Sequence, residues 1–229
     1  MDFSVISNNL SYFSMGAFPN GPLGGAALTV LLTLASGIVS AIVGLMLGIA
    51  LTCTRGAINV VLVAVLGFFR AIPVLMLMFW AYFLLPVVLK MDVPALATVV
   101  CTLSLIGGAY LAHSVAAGIE SLPAGQWSAG AALGLRPWQV LRFVILPQAL
   151  PTMLPSFVNQ WVALLKDTSL AYVIGVSELS FVATQINNRE MVHTTAVFGF
   201  VAFLYFVGCW CLNAVAGRLA ARFSTARVN

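Results

Sequence analysis

The sequence predicts an all-α integral membrane protein with five transmembrane helices. Hydrophobic residues make up 62% of its 229 positions and charged residues only 7%. A soluble domain carries about a quarter charged residues, so this composition excludes a soluble enzyme or binding domain. The apolar runs are continuous and lack the alternation of a membrane β-barrel, so the spans are predicted to be helices.

Five stretches are long enough to cross the ~30 Å hydrocarbon layer, which takes about 20 helical residues. They lie at about 23–54, 71–89, 93–119, 143–165 and 191–217. We expect the first to remain as a span, because no basic residue precedes it and it is too long for a cleavable signal peptide. The prediction is a single transmembrane domain over residues 1–229.

The basic residues predict the orientation of the chain. An odd number of spans places the termini on opposite sides. Six arginines fall on the same side, namely Arg55, Arg136, Arg142, Arg218, Arg222 and Arg227. Lys90 and Arg189 fall on the other side, and Arg70 and Lys166 lie close to the membrane boundaries. By the positive-inside rule the N-terminus is outside, whereas the C-terminus and the loop 120–142 are cytoplasmic. The positive net charge is thus a topology signal and implies no nucleic-acid partner.

The segment from Arg55 to Leu89 is too long for one crossing. Its first part, GAINVVLVAVLGFF, is expected to lie in the membrane interface or to form a bent lead-in to the second span. Pro73 suits a first helical turn or a kink. Arg70 would lie near the inner boundary, where it could either extend to the lipid headgroups or serve a function.

The loop 120–142 contains the signals of a short helix. Ser121 and Pro123 favour a helix start, Gly134 favours a left-handed end, and Pro137 favours the start of another helix. We therefore expect a helix over 123–133 and a turn at GLRP. A helix of about three turns is marginal alone in water, so it must be held by packing.

Two segments next to or within the fourth span have an unusual composition. Pro147, Pro151 and Pro155 recur every four residues, which predicts a bent helix with exposed carbonyls, either for packing or for a substrate pathway. The segment 166–193 is too polar for a span and too apolar for a free loop. A short helix packed on the bundle is expected there, with a cap at residue 167, 168 or 169 (Asp, Thr or Ser).

The residues supply little for catalysis. His113 and His193 are far apart, no metal-ligand spacing is present, and no nucleotide-binding loop of the form GxxxxGK[ST] occurs. We therefore expect no catalytic residue, no metal and no cofactor in this chain. Uphill transport would need energy from another chain or from an ion gradient, and ion coupling usually leaves carboxylates in mid-membrane, which the span cores lack.

The stretch GQWSAGAALGLRPWQVLRFVILPQALPTMLPSFVNQWVALLKDTSLAYVIGV resembles the hallmark region of bacterial ATP-binding-cassette importer permeases of the polar amino acid uptake family. The signature of that family is E-A-A, three residues, G, nine residues and I-x-L-P. Ala129 matches the first alanine, Gly134 matches the glycine, and residues 144–147 are Val-Ile-Leu-Pro. Two shorter segments also match, FRAIP (69–73) and GAYLA (108–112).

The resemblance implies a permease subunit in the bacterial inner membrane that is not itself an enzyme. Its partners would be ABC ATPase subunits that bind the ATP, a second permease that is identical or a sister chain, and a periplasmic solute-binding protein. The loop helix over 123–136 would dock on the ATPase. The coupling residues carried over are Gly125, Gln126, Trp127, Ser128, Ala129, Gly130, Ala132, Gly134, Arg136 and Pro147.

The chain departs from the signature at two positions. Ser128 stands where the family has glutamate, and Gly130 stands where it has the second alanine. Loss of the acid removes one charge-assisted contact to the ATPase and predicts weaker or one-sided coupling. Small side chains favour close docking, with Trp127 as the expected anchor. The alternative is an interfacial helix with Trp127 at the headgroups.

The resemblance implies a polar amino acid substrate, and QINNRE (185–190) is similar to acidic amino acid permeases, so glutamate or aspartate is expected. The expected polar residues of the pathway are Arg70, His113, Asn159 and Lys166. For His113 the alternative is a neutral residue in a helix contact. For the whole chain the alternative is an ion-gradient-driven secondary amino acid transporter or channel.

Overall fold

A computed structural model describes residues 4–90, 92–191 and 193–225. These residues are helical, apart from turns and two isolated bridges that pair Gly16 with Leu23 and Gly25 with Glu178. Asp2 and Arg227, which entered the charge analysis, lie outside the described residues, as does the side chain of Arg222. The predicted all-α class is confirmed.

The helices follow one another along the chain with short connections. In order they are α1 Ser4–Asn8, α2 Leu10–Met15, α3 Gly25–Cys53, α4 Ala57–Ala71, α5 Val74–Phe79, a π turn Trp80–Leu84, α6 Leu85–Leu89, α7 Ala95–Glu120, α8 Ala124–Ala132, α9 Pro137–Val140, a π turn Leu141–Ile145, α10 Leu146–Asp167, a 3-10 helix Thr168–Ile174, α11 Leu179–Glu190 and α12 Thr194–Thr225.

Four helical stretches among the described residues are long and apolar enough to cross a membrane. They are α3, α7, the stretch Pro137–Ile174 and the part Thr194–Arg218 of α12. A fifth span exists if α4 and the helix that begins at Val74 form one crossing, broken at Ile72 and Pro73. The stretch that contains α10 begins earlier than the expected residue 143, because the π turn joins α9 to α10 without a break.

The chain divides into two compact units. Unit 1 comprises the residues up to Ile38, Ile72–Ser104 and Trp161–Leu212. Unit 2 comprises Val39–Ala71, Leu105–Gln160 and the residues from Asn213. Each unit has its own buried apolar clusters.

Small residues allow two helices of unit 2 to approach closely. A Cβ placed on Gly48 of α3 would lie 2.5 Å from the Val115 Cβ and 2.7 Å from the Ala112 carbonyl oxygen of α7. A Cβ on Gly107 would lie 2.9 Å from the Ser40 Cβ. Membrane helices associate through van der Waals packing rather than a hydrophobic driving force, so small residues at such a contact determine how well the helices pack.

Glu178 organises the polar interior of unit 1. Its two carboxylate oxygens accept from the backbone N–H groups of Ser180 and Phe181, each over 2.9 Å, so it caps α11. The Tyr205 hydroxyl also donates to Glu178 Oε2 over 2.9 Å. The neighbouring Leu179 N–H donates to the Thr29 hydroxyl oxygen of α3 over 3.1 Å. Glu178 thereby links α11 and α12, and its neighbour links α11 to α3.

The expectation of a cap at residues 167–169 is wrong for α11, which begins at Leu179. Thr168 starts a 3-10 helix, and its hydroxyl donates back to the Leu165 carbonyl over 2.7 Å. The side chain of Ser169 likewise donates back to the Lys166 carbonyl. Both hydroxyls therefore satisfy carbonyls at the end of α10, and neither accepts an N–H of a following helix.

Burial of Glu178 raises the pKa of its carboxyl to about 7, because desolvation outweighs the hydrogen bonds from Ser180, Tyr205 and Phe181 that favour the charged form. The side chain is 0% exposed. Below a pH of about 4.5 both the folded and the unfolded carboxyl hold a proton. Between that pH and about 7 the unfolded chain releases a proton that the folded chain retains.

Replacement of Gly48 by alanine should lower the free energy of unfolding by about 1–3 kcal/mol, since the new methyl group meets the backbone of α7. The matched control is G67A in α4, where an added Cβ meets nothing within 4 Å. This control should leave the stability unchanged or raise it slightly. Thermal unfolding in detergent measures both, and equal midpoints for G48A and wild type would contradict the contact.

The stability of the protein should fall as the pH rises from about 5 to about 7, because over this range the Glu178 carboxyl releases its proton in the unfolded chain but retains it in the folded chain. The substitution E178Q should flatten this slope, while E120Q, which removes an exposed carboxyl, should preserve it. Unfolding midpoints measured across that pH range provide the test. If the slope persists unchanged in E178Q, titrating groups other than Glu178 cause the pH dependence.

Candidate functional site

The loop between α7 and α10 holds the short helix α8, which spans Ala124–Ala132. Pro123 precedes it in an extended conformation, as a residue before the first helical turn should. Gly134 ends it with φ +76°, in the left-handed region that favours glycine. The Gly134 N–H donates to the Ala131 carbonyl, and the Leu135 N–H donates to the Gly130 carbonyl. The predicted helix over 123–133 corresponds to α8.

One face of α8 packs inward. Gly130 is buried, and a Cβ placed there would lie 2.8 Å from a methyl carbon of Val140. Trp127 is half-buried and packs against the apolar cluster that contains Val140, Leu141 and Ile145. Trp127 therefore anchors α8 to its own unit, whereas the sequence suggested an anchor for a partner or for the headgroups.

The opposite face of α8 is exposed and made of small residues, namely Gly125, Ser128, Ala129 and Ala132. The Ser128 hydroxyl donates back to the Ala124 carbonyl of its own helix over 3.5 Å. Two large apolar side chains that follow the helix are also exposed, Leu133 at 80% and Trp138 at 57%. Sequence reasoning missed both, although each lies next to the GLRP turn.

The remaining expected coupling residues lie in α8 or follow it along the chain. Arg136 is exposed, and its backbone N–H donates to Gln139 Oε1 over 2.8 Å, which fixes the first turn of α9. Gln126 is half-buried, and Pro147 is exposed in the first turn of α10. We call the exposed residues Gly125, Ser128, Ala129, Ala132, Leu133 and Trp138 the α8 face.

A polar cavity of about 310 Å³ lies within unit 2. Its lining comes from α4, α7 and α10 and consists of Arg70, Tyr110, Leu111, His113, Ser114, Ser156, Asn159 and Gln160. On α7 and on α10 the polar lining residues follow the i, i+3, i+4 spacing, which puts them on one helix face. This spacing is the signal that could have identified the residues that sequence reasoning left out.

Arg70 is the positively charged group of this cavity. Its guanidinium carbon lies 5.2 Å from the centre of the Tyr110 ring, and the Tyr110 hydroxyl donates to the Arg70 carbonyl over 3.3 Å. The cation–π contact holds the exposed guanidinium without neutralising it. None of the lining residues is acidic, so the cavity suits an anionic or polar group.

Three of the four expected pathway residues, Arg70, His113 and Asn159, line this cavity together. Lys166 does not line it and is exposed near the end of α10 in unit 1. A second groove of about 630 Å³ lies in unit 1, between α1–α2 and the start of α12, and no ionisable side chain lines it. Within the described ranges, no group of three or more His, Cys, Asp or Glu residues could hold a metal ion.

Residues 40–225 match the family model described as the inner membrane component of binding-protein-dependent transport systems. Over 214 residues the chain is 31% identical to the glutamate/aspartate import permease protein GltK of Escherichia coli O157:H7, covering 90% of this chain and 91% of that protein. Over 162 residues it is 40% identical to the glutamine transport system permease protein GlnP of Escherichia coli K12, covering 68% and 72%.

Among solved structures, the fold is similar to a crystal structure of an amino acid ABC transporter with histidines. The TM-score is 0.83 at 24% identity, over 97% of this chain and 99% of the other. A methionine ABC transporter, MetNI, in an inward-facing conformation gives a TM-score of 0.74 at 22% identity, over 85% and 92% of the two chains.

Proposed function

Because the chain belongs to the family of binding-protein-dependent transport system inner membrane components, we propose that it is the permease subunit of an ATP-driven importer of glutamate and aspartate. Members of this family are inner-membrane proteins that work with an ATPase and a substrate-binding protein. The observation that carries the substrate proposal is the polar cavity, in which Arg70 and His113 occur without a carboxylate. The similarity to GltK supports the same substrate class.

The cavity provides groups for both ends of an amino acid. A guanidinium binds a carboxylate through two parallel hydrogen bonds, and the aromatic ring of Tyr110 orients the guanidinium of Arg70. The amide oxygens of Asn159 and Gln160 can accept from an ammonium group. The volume of about 310 Å³ is at the lower end for ligand sites, as suits a small solute.

Glutamine is the second candidate substrate. The chain is 40% identical to GlnP over the region that aligns, and two side-chain amides line the cavity. Glutamate and glutamine differ in the side-chain charge and share the α-carboxylate. The choice between them therefore depends on which carboxylate the Arg70 guanidinium binds.

The α8 face is the proposed docking surface for the ATPase. Its small residues allow a partner to approach the helix backbone, and Leu133 and Trp138 supply exposed apolar area of the kind that dominates interfaces. Serine at position 128 offers no charge, so docking depends on shape and apolar contact. In this proposal the loop 120–142 and the C-terminus are cytoplasmic, the N-terminus is outside, and a second permease, identical or a sister chain, completes the pathway.

Reconstitution tests the energy source. The chain in lipid vesicles, with its ATPase and binding protein, should take up glutamate only when ATP is hydrolysed. Uptake driven by an ion gradient, in vesicles that lack the ATPase, would instead establish the secondary transporter as the correct function.

The substitution L133D should weaken the association with the ATPase, since it puts a charge into an apolar contact. We expect a loss of roughly 2 kcal/mol, or about thirtyfold in affinity. The matched control is M191D, because Met191 is 79% exposed in unit 1 and its left-handed backbone suits aspartate. Co-purification of the ATPase provides the measurement, and equal yields for the two variants would argue against docking at the α8 face.

The substitution R70Q should lower glutamate uptake by about tenfold or more, because it removes the charged donor of the cavity. If the guanidinium binds the side-chain carboxylate, R70Q should affect glutamate more than glutamine. If it binds the α-carboxylate, both should fall equally. Competitive uptake by the reconstituted complex distinguishes these outcomes, with K166Q as the control outside the cavity. Unchanged uptake of both amino acids would exclude Arg70 from the pathway.

A further inference from the structure

Gln148 joins α8 to α10 through a side-chain hydrogen bond. Its Nε2 donates to the Val144 carbonyl over 2.8 Å and to Gln126 Oε1 over 3.3 Å. Both glutamine side chains are half-buried. An amide nitrogen carries two hydrogens, so Gln148 can make both bonds at once. The Val144 carbonyl can only accept a hydrogen bond, so the Gln148 atom that contacts it is the amide nitrogen. The same nitrogen contacts Gln126, whose side-chain oxygen is therefore the acceptor.

This hydrogen bond lies where the helical backbone is irregular. The π turn Leu141–Ile145 ends as α10 begins, and Pro147 has no amide hydrogen. Both features leave carbonyls without their usual helical donors. The side chain of Gln148 donates to the Val144 carbonyl within this turn, so its amide is fixed to the backbone of the turn. Gln126 therefore bonds to the Gln148 amide, and this amide moves together with the first turn of α10.

Apolar contacts also hold α8, through Gly130 against Val140 and through Trp127 against the cluster around Leu141. Such contacts are non-directional and tolerate small slides of one helix along another. A hydrogen bond weakens steeply when its donor and acceptor lose alignment. The contact between Gln126 and Gln148 thus defines the position of α8 along α10 in a way that the apolar packing does not.

The helix α10 also carries Asn159 and Gln160 of the polar cavity, about three turns beyond Gln148. We propose that Gln126 and Gln148 form a positioning pair that transmits displacement of α8 to α10, and through it to the cavity. This inference rests on the proposed function, because it requires an ATPase that acts on α8.

The test compares amino acid uptake per ATP hydrolysed in the full complex reconstituted in lipid vesicles. Q126L and Q148L should each lower this ratio by about five- to tenfold, at the lower end of the roughly 5–150-fold that is typical of coupling between sites. Q126E keeps an acceptor for the Gln148 amide and should stay close to wild type. The double variant Q126L/Q148L should be no worse than Q148L, since both changes remove the same contact.

Three results would overturn the proposal: a normal ratio in Q126L, equal impairment in Q126E and Q126L, or additive losses in the double variant. Loss of the ATPase from purified Q126L complexes would also overturn it, because Gln126 would then act in docking. Failure of the proposed function is seen separately, as a wild-type complex that transports no amino acid, and this inference would then fail with it.

Discussion

The close approach of α3 and α7 is the constraint on which unit 2 depends. Glycines and serine at this contact leave no room for an added Cβ at Gly48 or Gly107. The stripe of α7 that contains Gly107, Leu111 and Val115 faces this contact. The adjacent stripe, with Tyr110, His113 and Ser114, is thereby directed to the polar cavity. In lipid, where apolar side chains gain little from leaving the solvent, this steric fit determines which residues of α7 face the polar cavity.

The two departures from the permease signature differ in their structural meaning. Gly130 is buried against Val140, so the smaller residue permits the tight packing of α8 on its own unit. Ser128 is exposed, and its hydroxyl makes a 3.5 Å hydrogen bond to its own helix. Packing of α8 on its own unit therefore explains the glycine, whereas nothing in the described structure explains the serine.

The sequence was sufficient to predict the features that depend on local chemistry. Hydropathy predicted the four helical stretches that are long and apolar enough to cross a membrane, and Gly134 predicted the left-handed end of α8. The sequence was insufficient to predict side-chain positions that depend on residues far away along the chain. The orientation of Trp127 depends on Val140 and Leu141, and α11 is capped by Glu178, whose burial depends on α12. Lys166 and Arg70 looked alike in sequence, yet only the latter lies beside His113 and Asn159.

Arg70 lies in the last turn of α4, where the helix ends before Pro73. The carbonyls at a helix C-terminus carry about half a negative charge in total, and they have no helical donors. The Tyr110 hydroxyl occupies one of them, the carbonyl of Arg70 itself. The guanidinium is therefore stabilised by the dipole of its own helix, without a carboxylate in the cavity lining. An arginine balanced by backbone dipoles needs no acid of the cavity lining to hold its charge, so its hydrogen-bonding fork is not committed to a resident carboxylate.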